Sequence, residues 1–348
     1  MTDAPAADTR ISAQAVEGFT AALLQGVRVL PHDARPVAWV YTTQSLRGVG
    51  HHDINSLPAR LNRLTEGSIN PRPEIRILAS QDATAVIDGD NGLGELVTHR
   101  AMSLAIEKAT VRGVGFVTAR SSNHFLAAAP YALMATQAGM IGLAFSNTIS
   151  CMAAHGANDD AIGNNPFGFA APTAAGYPIV FDICNAYASL GTMSEKARNG
   201  ESIPDSWGRD KEGRATTDPK AVLDGGLFMP MGGHKGFGLA ILVEILTSVL
   251  GGGAITDQIR MRAAQPGEGH SQCCLAVNIA QFMTVETFNQ RTAAMITMLK
   301  SHGAEVMIPG ERSAHAAAQA WTDGVLIRAE AAHALRDWAR RLNVPWPG

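Results

Sequence analysis

The 348-residue sequence has little net charge, few cysteines and no long apolar run. A formal net charge of -3 offers no basic surface, so nucleic acid is not expected as a partner. Neither an apolar leader nor a run of about 18 apolar residues occurs, which predicts a cytoplasmic protein that does not bind a membrane. Its four cysteines form no CxxC pair, which disfavours a disulfide framework or structural zinc: Cys151, Cys184, Cys273 and Cys274.

The common signatures of nucleotide and hydrolytic sites are also absent. No GxGxxG follows a strand, no GxxxxGK[ST] occurs, and neither GxSxG nor HExxH is present. The 35 glycines and 6% aromatic residues nevertheless indicate many tight turns and close backbone approaches, which are common where α/β proteins hold nucleotides. Apolar residues at 46% and charged residues at 17% indicate a globular chain.

Hydrophobic periodicity predicts an N-terminal helical region followed by an α/β region. Apolar residues at helical spacing predict helices over 11–25, 36–46 and 54–64. From Glu74 onward, paired strands are predicted over 75–78 and 84–88. Further helices and strands then alternate, with helices over 96–112 and 125–137 and strands over 114–119, 141–145 and 179–181.

The second half is predicted to leave the sheet and return to it. The polar segment 195–226 is predicted to be a long surface excursion, and a strongly apolar helix is predicted over 236–250. A helix over 282–301, a strand over 305–308 and a largely helical end over 312–342 follow. We therefore predict a helical lobe (1–73), an α/β nucleotide-binding domain (74–311) and C-terminal helices (312–348) that pack back on the lobe.

Paired imidazoles follow a predicted helix break at 48–50. His51 and His52 precede the next helix, where an imidazole can be partly desolvated and still reach a ligand. Such a histidine suits general acid catalysis near neutral pH. A pair of surface or capping histidines is the alternative. Zinc is disfavoured because adjacent histidines rarely face one metal ion, and no metal is expected.

Three further clusters combine small or polar residues with a charged or imidazole side chain. The segment 121–125 lies between a buried strand and a helix, where it could bind phosphate or cap the helix. Asp182, which lies downstream of the 163–166 turn, could orient a histidine, bind a ribose hydroxyl or cap the following segment. Lys235, within the glycine-rich segment 232–239, could contact phosphate or remain a solvated lysine.

Short matches to one family occur in order along nearly the whole chain: Arg47-Gly48-Val49, His52, Leu57-Pro58, Gly67-Ser68-Ile69-Asn70-Pro71, Asp88-Gly89, Gly92, Gly94, Ser122-Asn123-His124-Phe125, Asn147, Gly163, Asn165-Pro166, Pro178, Asp182, Ile203-Pro204, Trp207, Thr217-Asp218-Pro219, Gly233-His234-Lys235-Gly236 and Pro309-Gly310-Glu311-Arg312. This series resembles the malate/L-lactate dehydrogenase-like family, which includes piperideine-2-carboxylate, diketogulonate and ureidoglycolate reductases or dehydrogenases. The resemblance implies an α/β fold whose sheet domain binds NAD or NADP without a Rossmann motif, joined to a helical N-/C-terminal lobe.

The resemblance also implies roles for the matched positions. His52 corresponds to the family's proton-donating histidine, which would serve hydride transfer to a ketone or imine. The nicotinamide would carry out the redox chemistry while the protein fixes its face and distance. The implied cofactor contacts are His124, Phe125, Leu126, Ala127, Ala128, Asp182, Ile183, Cys184, Lys235, Gly236, Pro309, Gly310, Glu311 and Arg312.

Departures from the family pattern gather around the substrate. The family reads Ser-His-Gly-x-x-Arg where this chain has residues 51–56, so His51 replaces the serine, Asp53 the glycine and Ser56 the carboxylate-binding arginine. Asn164 stands where the family has threonine, and Leu126 where it has glycine. Because cofactor positions are mostly kept while substrate positions change together, an altered substrate is predicted, with lost activity as the rival explanation.

The missing arginine leaves the carboxylate-binding group open. A serine hydroxyl cannot reproduce the two parallel hydrogen bonds of a guanidinium. Arg60 follows Ser56 by one helical turn and could take its place, although a solvated Arg60 is the alternative. A protonated His51 is the second candidate. The candidate residues are therefore His51, His52 and Asp182 for catalysis, and Ser56, Arg60 and Asn164 for the substrate.

The resulting hypothesis is an NAD(P)-dependent dehydrogenase or reductase of a small 2-hydroxy/2-oxo acid or a cyclic imino acid. A catalytically silent protein that keeps the nucleotide pocket is the alternative. A zinc hydrolase is disfavoured because no carboxylate or cysteine accompanies the paired histidines at usable spacing. The family's usual assembly, the alanine-rich helical end and the N-terminal helix together predict a homodimer.

Overall fold

The computed structural model describes residues 8–259 and 267–348. Its helices are α1 (Ala13–Gly26), α2 (Pro31–Leu46), α3 (Leu57–Thr65), α4 (Gly94–Arg112), α5 (Ala129–Gln137), α6 (Leu190–Asn199), α7 (Pro219–Leu223), α8 (His234–Glu244), α9 (Val285–Lys300), α10 (Glu311–Asp323) and α11 (Ala329–Leu342). Its strands are β1 (Thr9–Ile11), β2 (Arg76–Ser80), β3 (Thr84–Asp88), β4 (Val114–Ser122), β5 (Met140–Ser146), β6 (Ser150–Ala153), β7 (Asp160–Gly163), β8 (Phe167–Ala171), β9 (Ile179–Ile183), β10 (Gly208–Arg209), β11 (Leu227–Phe228), β12 (His270–Asn278) and β13 (Val325–Ile327).

A seven-stranded sheet in the order β2-β3-β4-β12-β5-β8-β9 forms the centre of the molecule. Its strands are antiparallel to their neighbours except for the parallel pair β3 and β4, which α4 connects. Cys273 and Cys274 occupy the middle of β12 and are both fully buried. The α/β class expected from the sequence is confirmed.

The one parallel β-α-β unit of this sheet has no open phosphate-binding turn. A Cβ on Gly94, at the start of α4, would lie 2.1 Å from the carbonyl oxygen of Asn123 and 2.4 Å from that of His124. The loop after β4 therefore covers the first turn of α4. This packing accounts for the absence of a GxGxxG fingerprint, which serves a helix N-terminus left open to a pyrophosphate.

The N-terminal helices and α11 pack together beside the sheet. Strand β1 pairs with β13, which brings the N-terminal segment next to the C-terminal helix. Helix α11 contacts α1 and α3, and it buries Leu335 and Trp338 in the main core. That core also includes Val117 of β4, so helices and sheet share one apolar interior. The domain boundaries proposed from the sequence, at 73/74 and 311/312, stay predictions.

Several predicted elements differ from the observed ones. Helix α2 begins at Pro31, which suits its first turn, and the predicted start at Pro36 lies inside the helix. The segment 305–308 is irregular instead of a strand. Within 195–226, the predicted surface excursion instead contributes β10 to a four-stranded sheet of order β10-β11-β6-β7 and buries Ile203 and Val222 in a second core cluster.

Helix α5 starts four residues later than predicted, at Ala129 instead of Phe125. The carboxylate of Asp182 accepts a hydrogen bond from the backbone N–H of Ala129, at 2.7 Å, and so fixes the start of the helix. No helix in the described ranges is long and apolar enough to cross a bilayer.

Candidate active site

The predicted catalytic corner is a tight turn between α2 and α3. The backbone N–H of His52 donates to the carbonyl of Val49 at 2.9 Å. Asp53 then caps a short 3-10 turn, because its Oδ1 accepts from the N–H of Asn55 at 2.9 Å. The hydroxyl of Ser56 donates back to the carbonyl of Asp53 at 2.7 Å. These local hydrogen bonds hold the backbone of the two adjacent imidazoles in place.

Three imidazoles meet at this corner. The ring centroid of His52 lies 4.3 Å from that of His51 and 5.2 Å from that of His124. Burial, together with the neighbouring imidazoles and Arg60, lowers the pKa of His52 well below its ordinary value. Burial and the charge of Arg60 likewise lower the pKa of His124 to about 3. Both rings are therefore neutral near pH 7, and the neutral ring of His52 is the form that can accept a proton.

His124 has its ring orientation fixed by its own loop. The backbone N–H of Leu126 donates to Nδ1 of His124 at 3.2 Å, so the neutral ring carries its proton on Nε2. This contact requires Leu126 to adopt a left-handed backbone with φ of 72°. That conformation suits glycine, the residue that the family resemblance places at this position. The chain has thus kept the backbone geometry while changing the residue.

Arg60 lies beneath the imidazoles instead of in solvent, so the solvated alternative is wrong: the residue is 6% exposed. Its Nε lies 3.0 Å from Oε1 of the fully buried Glu95. Its Nη2 donates to the carbonyl oxygen of His124 at 2.8 Å. The hydroxyl of Tyr41 also donates to Oε1 of Glu95, at 3.1 Å. Arg60 therefore ties α3 and α4 to the loop that presents His124.

A second charged group supports His124 from the other side and was missed in the sequence. Oε2 of Glu268 accepts from the backbone N–H of His124 at 2.8 Å, while Oε1 lies 2.6 Å from Nη1 of Arg63. Burial raises the pKa of Glu268, but His270, Arg63 and Arg60 outweigh it and hold that pKa below its usual range. The only sequence signal was the pair of glycines that flank Glu268, Gly267 and Gly269.

His51 connects the corner to the start of α6. Its Nε2 lies 3.3 Å from Oγ of Ser189, the residue that caps this helix. The imidazole packs so closely on Gly191 that a Cβ there would lie 2.3 Å from ring carbon Cδ2. Burial lowers the pKa of His51, Glu195 opposes that shift, and Arg328 adds to it.

The predicted cofactor residues converge along β9 and the loop that follows it. The backbone N–H of Val180, in β9, donates to the carbonyl of Pro309 at 3.0 Å, and a Cβ on Gly310 would lie 2.6 Å from the nitrogen of Val180. Beyond the strand, the N–H of Asn185 donates to the carbonyl of Asn164 at 2.7 Å. Segments far apart in sequence are thus brought together along β9, the edge strand of the sheet.

Asp182 in β9 acts as a helix cap. Its carboxylate accepts hydrogen bonds from the backbone N–H groups of Ala128 and Ala129, at the start of α5. Burial raises the pKa of Asp182 to about 6, although these bonds and the charge of Arg47 oppose the shift. The N–H groups of Ala128 and Ala129 thus already have a partner, and segment 121–125 lies before the start of α5, so its contact with a phosphate stays a prediction.

The glycine-rich turn before α8 meets the same loop. Gly232 and Gly233 have φ of 61° and 62°, and α8 begins without a side-chain cap. A Cβ on Gly236 would lie 2.5 Å from the carbonyl oxygen of Asn185, so only glycine allows this close packing. Lys235 is exposed at the same turn.

The remaining candidate residues differ in the hydrogen-bond partners, charge and exposure of their side chains. Oδ1 of Asn164 accepts a hydrogen bond from Oγ1 of Thr148 at 3.0 Å. Burial raises the pKa of Cys184 to about 11, which keeps the thiol neutral. The side chain of Glu311 is paired with Lys300, whereas Arg312 is exposed. Arg312 therefore offers an exposed positive side chain, and Glu311 has a structural partner.

Comparison with known proteins identifies the fold. A family model described as malate/L-lactate dehydrogenase matches residues 11–336. Malate dehydrogenase from Pyrococcus horikoshii is 34% identical over 299 residues, covering 84% of this chain and 82% of that protein. L-sulfolactate dehydrogenase from Methanocaldococcus jannaschii is 36% identical over 295 residues, covering 83% and 85%. The crystal structure of Δ1-piperideine-2-carboxylate reductase from Pseudomonas syringae gives a TM-score of 0.88 at 28% identity, covering 95% of this chain and 100% of that one.

These similarities, together with the sheet and its imidazole corner, define a nicotinamide-dependent oxidoreductase acting on a small molecule. The chain belongs to the malate/L-lactate dehydrogenase family. The expected family, fold type and enzyme class are therefore confirmed. The roles of the individual site residues stay predictions.

Proposed function

We propose that this enzyme transfers a hydride between nicotinamide and a small 2-hydroxy/2-oxo acid or cyclic imino acid, with His52 as proton donor and acceptor. The observation that carries the proposal is the packing of the His52 ring 5.2 Å from that of His124, in the loop predicted to lie along the cofactor. The names of relatives support these substrate classes: malate dehydrogenase, L-sulfolactate dehydrogenase and Δ1-pyrroline-2-carboxylate/Δ1-piperideine-2-carboxylate reductase.

His52 would serve both directions of the reaction through one proton. In oxidation, its neutral imidazole accepts the proton of the substrate hydroxyl. In reduction, a protonated His52 donates to the developing alkoxide or amine. An anionic substrate beside His52 would raise the pKa that burial now lowers, and so favour the protonated ring. His51 would support His52 by packing, and Asp182 by holding α5 in place.

NAD or NADP would be held by segments 124–128, 182–184, 235–236 and 309–312. The fit is favourable because glycines 232, 233 and 236 bring backbone close to the site, and Lys235 and Arg312 are exposed cations for a pyrophosphate. When bound, the nicotinamide supplies or takes up the hydride. The chain's part is to hold this group at a fixed distance from His52 and to exclude water.

The substrate would lie between the catalytic corner and the loop that contains Asn164. Ser56 and Asn164 are proposed to border this space, although the hydroxyl of Ser56 is already bonded to the carbonyl of Asp53. Nε and Nη2 of Arg60 have protein partners, so we propose that Arg60 supports the site from beneath.

A substrate screen tests the proposal. NADH and NADPH are first titrated by their fluorescence, and 2-oxo acids, sugar-acid ketones and cyclic imines are then added to follow cofactor oxidation. Turnover of an acid or imine is expected. Cofactor binding without turnover of any member would instead support the silent nucleotide-binding alternative.

We also propose a homodimer, but through a surface different from the one that first suggested it. Helices α1 and α11 cover one another, so they leave little apolar surface there. Exposed apolar residues instead lie along α8 and the π-helix after it (Ile245–Val249), at helical spacing: Ile241, Leu242, Ile245, Val249 and Leu250. A monomeric mass by light scattering, at working concentration, would contradict the dimer.

We propose that the enzyme acts in the cytoplasm. Its four cysteines are all free. Free thiols persist in reducing compartments, and disulfides are typical of oxidising ones. Fractionation of the source cells, followed by immunoblotting, tests this location.

A further inference from the structure

The catalytic corner has a further cation beside it, Arg328, which the sequence analysis did not single out. Arg328 is the last residue before α11, and its backbone N–H donates to Oδ1 of Asn55 at 2.7 Å. Asn55 in turn donates through Nδ2 to both carboxylate oxygens of Asp53, at 3.0 Å each. The start of α11 is therefore joined directly to the turn that follows His51 and His52.

The guanidinium of Arg328 lies over the peptide that precedes the two histidines. A Cβ on Gly50 would lie 2.1 Å from Nη2 and 3.3 Å from Cζ of Arg328, so glycine at this position makes room for the group. The positive charge reaches into the corner, since it adds to the lowering of the pKa of His51 and opposes the burial that raises the pKa of Asp53.

This guanidinium has no protein partner within residues 8–259 and 267–348: no hydrogen-bond acceptor or carboxylate lies within bonding distance. The nearby carboxylates have other partners. Asp53 is bonded to Asn55, and Oδ1 of Asp8 accepts from the backbone N–H of Ala329 at 2.8 Å. A half-buried, unpaired guanidinium retains its donors for a ligand and has already lost part of its hydration.

The other two arginines of the site are engaged. Arg60 is held by Glu95 and the carbonyl of His124, and Arg63 by Glu268 and, through Nη2 at 3.4 Å, by Oδ1 of Asn123. Ser56 provides only a hydroxyl where the family resemblance implies a guanidinium. Of these three arginines, Arg328 is the one whose guanidinium has no hydrogen-bond or carboxylate partner among the described residues.

We propose that Arg328 supplies the carboxylate-binding cation of this enzyme, in place of the arginine missing at position 56. The substrate is then an acid whose carboxylate forms charge-assisted hydrogen bonds with Arg328 beyond His51, while its reacting carbon faces His52. This inference rests on the proposed function and names the residue that would bind the carboxylate shared by its substrates. Arg328 would select and orient the substrate, and the proton transfer would remain with His52.

Binding of oxamate tests the inference without requiring turnover. Oxamate carries the carboxylate and carbonyl of a 2-oxo acid, and its ethyl ester is a matched neutral probe. Titration calorimetry on the NADH-saturated protein compares the wild type with Arg328→Ala and with Arg328→Gln, which keeps most of the side-chain volume. Arg291→Ala, on the exposed face of α9, is the control. Folding of the variants is checked by thermal melting, and the backbone bond to Asn55 is available to each of them.

Oxamate affinity is expected to fall at least about tenfold in both Arg328 variants, the size of effect typical of a lost charge-assisted hydrogen bond. Affinities for NADH and for the ester should stay unchanged, as should all three affinities in Arg291→Ala. A purely structural role would weaken acid and ester alike, and that result would overturn the inference. Unchanged oxamate binding in Arg328→Gln, or no oxamate binding by the wild type, would overturn it too.

Failure of the proposed reaction would give a different result from failure of the Arg328 inference. A wild type that binds NADH and binds oxamate through Arg328, but turns over no acid or imine, would contradict the proposed reaction and leave the anion site standing. An active wild type whose acid binding ignores Arg328 would leave the reaction standing and remove this inference.

Discussion

Nη2 of Arg60 donates a 2.8 Å hydrogen bond to the carbonyl oxygen of His124. The same guanidinium lies 3.0 Å from Glu95 through Nε, so one buried side chain connects two helices to the loop of the central imidazole. His124 has two further hydrogen bonds, one from the N–H of Leu126 to its ring and one from its own N–H to Glu268. The bond from Arg60 is the one that joins its loop to α3 and α4. The following expectations begin from this network.

Replacing Arg60 should lower the free energy of unfolding, and this should be its main effect, with substrate recognition little changed. Arg60→Met leaves the carboxylate of Glu95 buried without its cation, and loss of one partner of a buried pair costs about 3–5 kcal/mol. Urea unfolding should show this decrease in the free energy of unfolding, with Arg291→Met as the exposed control. If stability is unchanged and only the KM of an acid substrate rises, Arg60 binds the substrate carboxylate after all.

Removing the His52 imidazole should slow the chemical step and leave cofactor binding intact. In His52→Gln, kcat should fall by about two to four powers of ten, because no group remains to exchange the proton with the substrate. Steady-state kinetics give kcat, and NAD(P)H fluorescence gives the cofactor Kd. His302→Gln, on an exposed turn, should behave as the wild type. Near-normal turnover in His52→Gln would refute the assignment.

Neutralising Lys235 should weaken the cofactor more than the substrate. The exposed ammonium stands at the glycine turn before α8, where it would contact a phosphate by a charge-assisted hydrogen bond. In Lys235→Ala, the KM for NAD(P)H should rise about tenfold, with a smaller change for the substrate. Lys220→Ala, an exposed lysine of α7, is the control. An unchanged cofactor KM would exclude this turn from the site.

Stability should fall as the pH drops below about 6.5, partly because of His124. Its pKa is 6.5 in the unfolded chain and about 3 in the fold, so the unfolded state binds the extra proton between these values. This contribution is fully present above pH 6.5 and is lost toward pH 3, at about 1.4 kcal/mol per pH unit. Denaturant unfolding of His124→Asn between pH 6 and 4 should show a slope shallower by about that amount.

Two features make this comparison specific. Asp182 titrates in part of the same pH range, because burial raises its pKa to about 6. Its contribution to stability rises as the pH falls, opposite to that of His124. Because both proteins contain Asp182, this contribution cancels in the difference. His302→Asn is the control and should keep the wild-type slope. Equal slopes for wild type and His124→Asn would show that His124 is protonated in the fold.

Local patterns predicted the elements that local forces determine. Strands β3 and β4 follow from hydrophobic periodicity: β3 has the predicted bounds, and β4 begins at the predicted residue, Val114. The start of α5 could not be found this way, because it is fixed by Asp182, 53 residues further along the chain. The support of His124 by Glu268 was missed for the same reason: no local rule pairs residues 144 positions apart.

The close contact between His51 and Gly191 restricts how this active site can have evolved. Any side chain at position 191 would overlap the imidazole, since even a Cβ would lie 2.3 Å from it. A histidine could therefore enter position 51 only in a lineage that already had glycine at 191, and once there it prevents that glycine from changing. A return to serine at 51 would first leave an empty space over Gly191. The order of substitutions is thus part of this enzyme's history, and ancestral sequences should show glycine at 191 before histidine at 51.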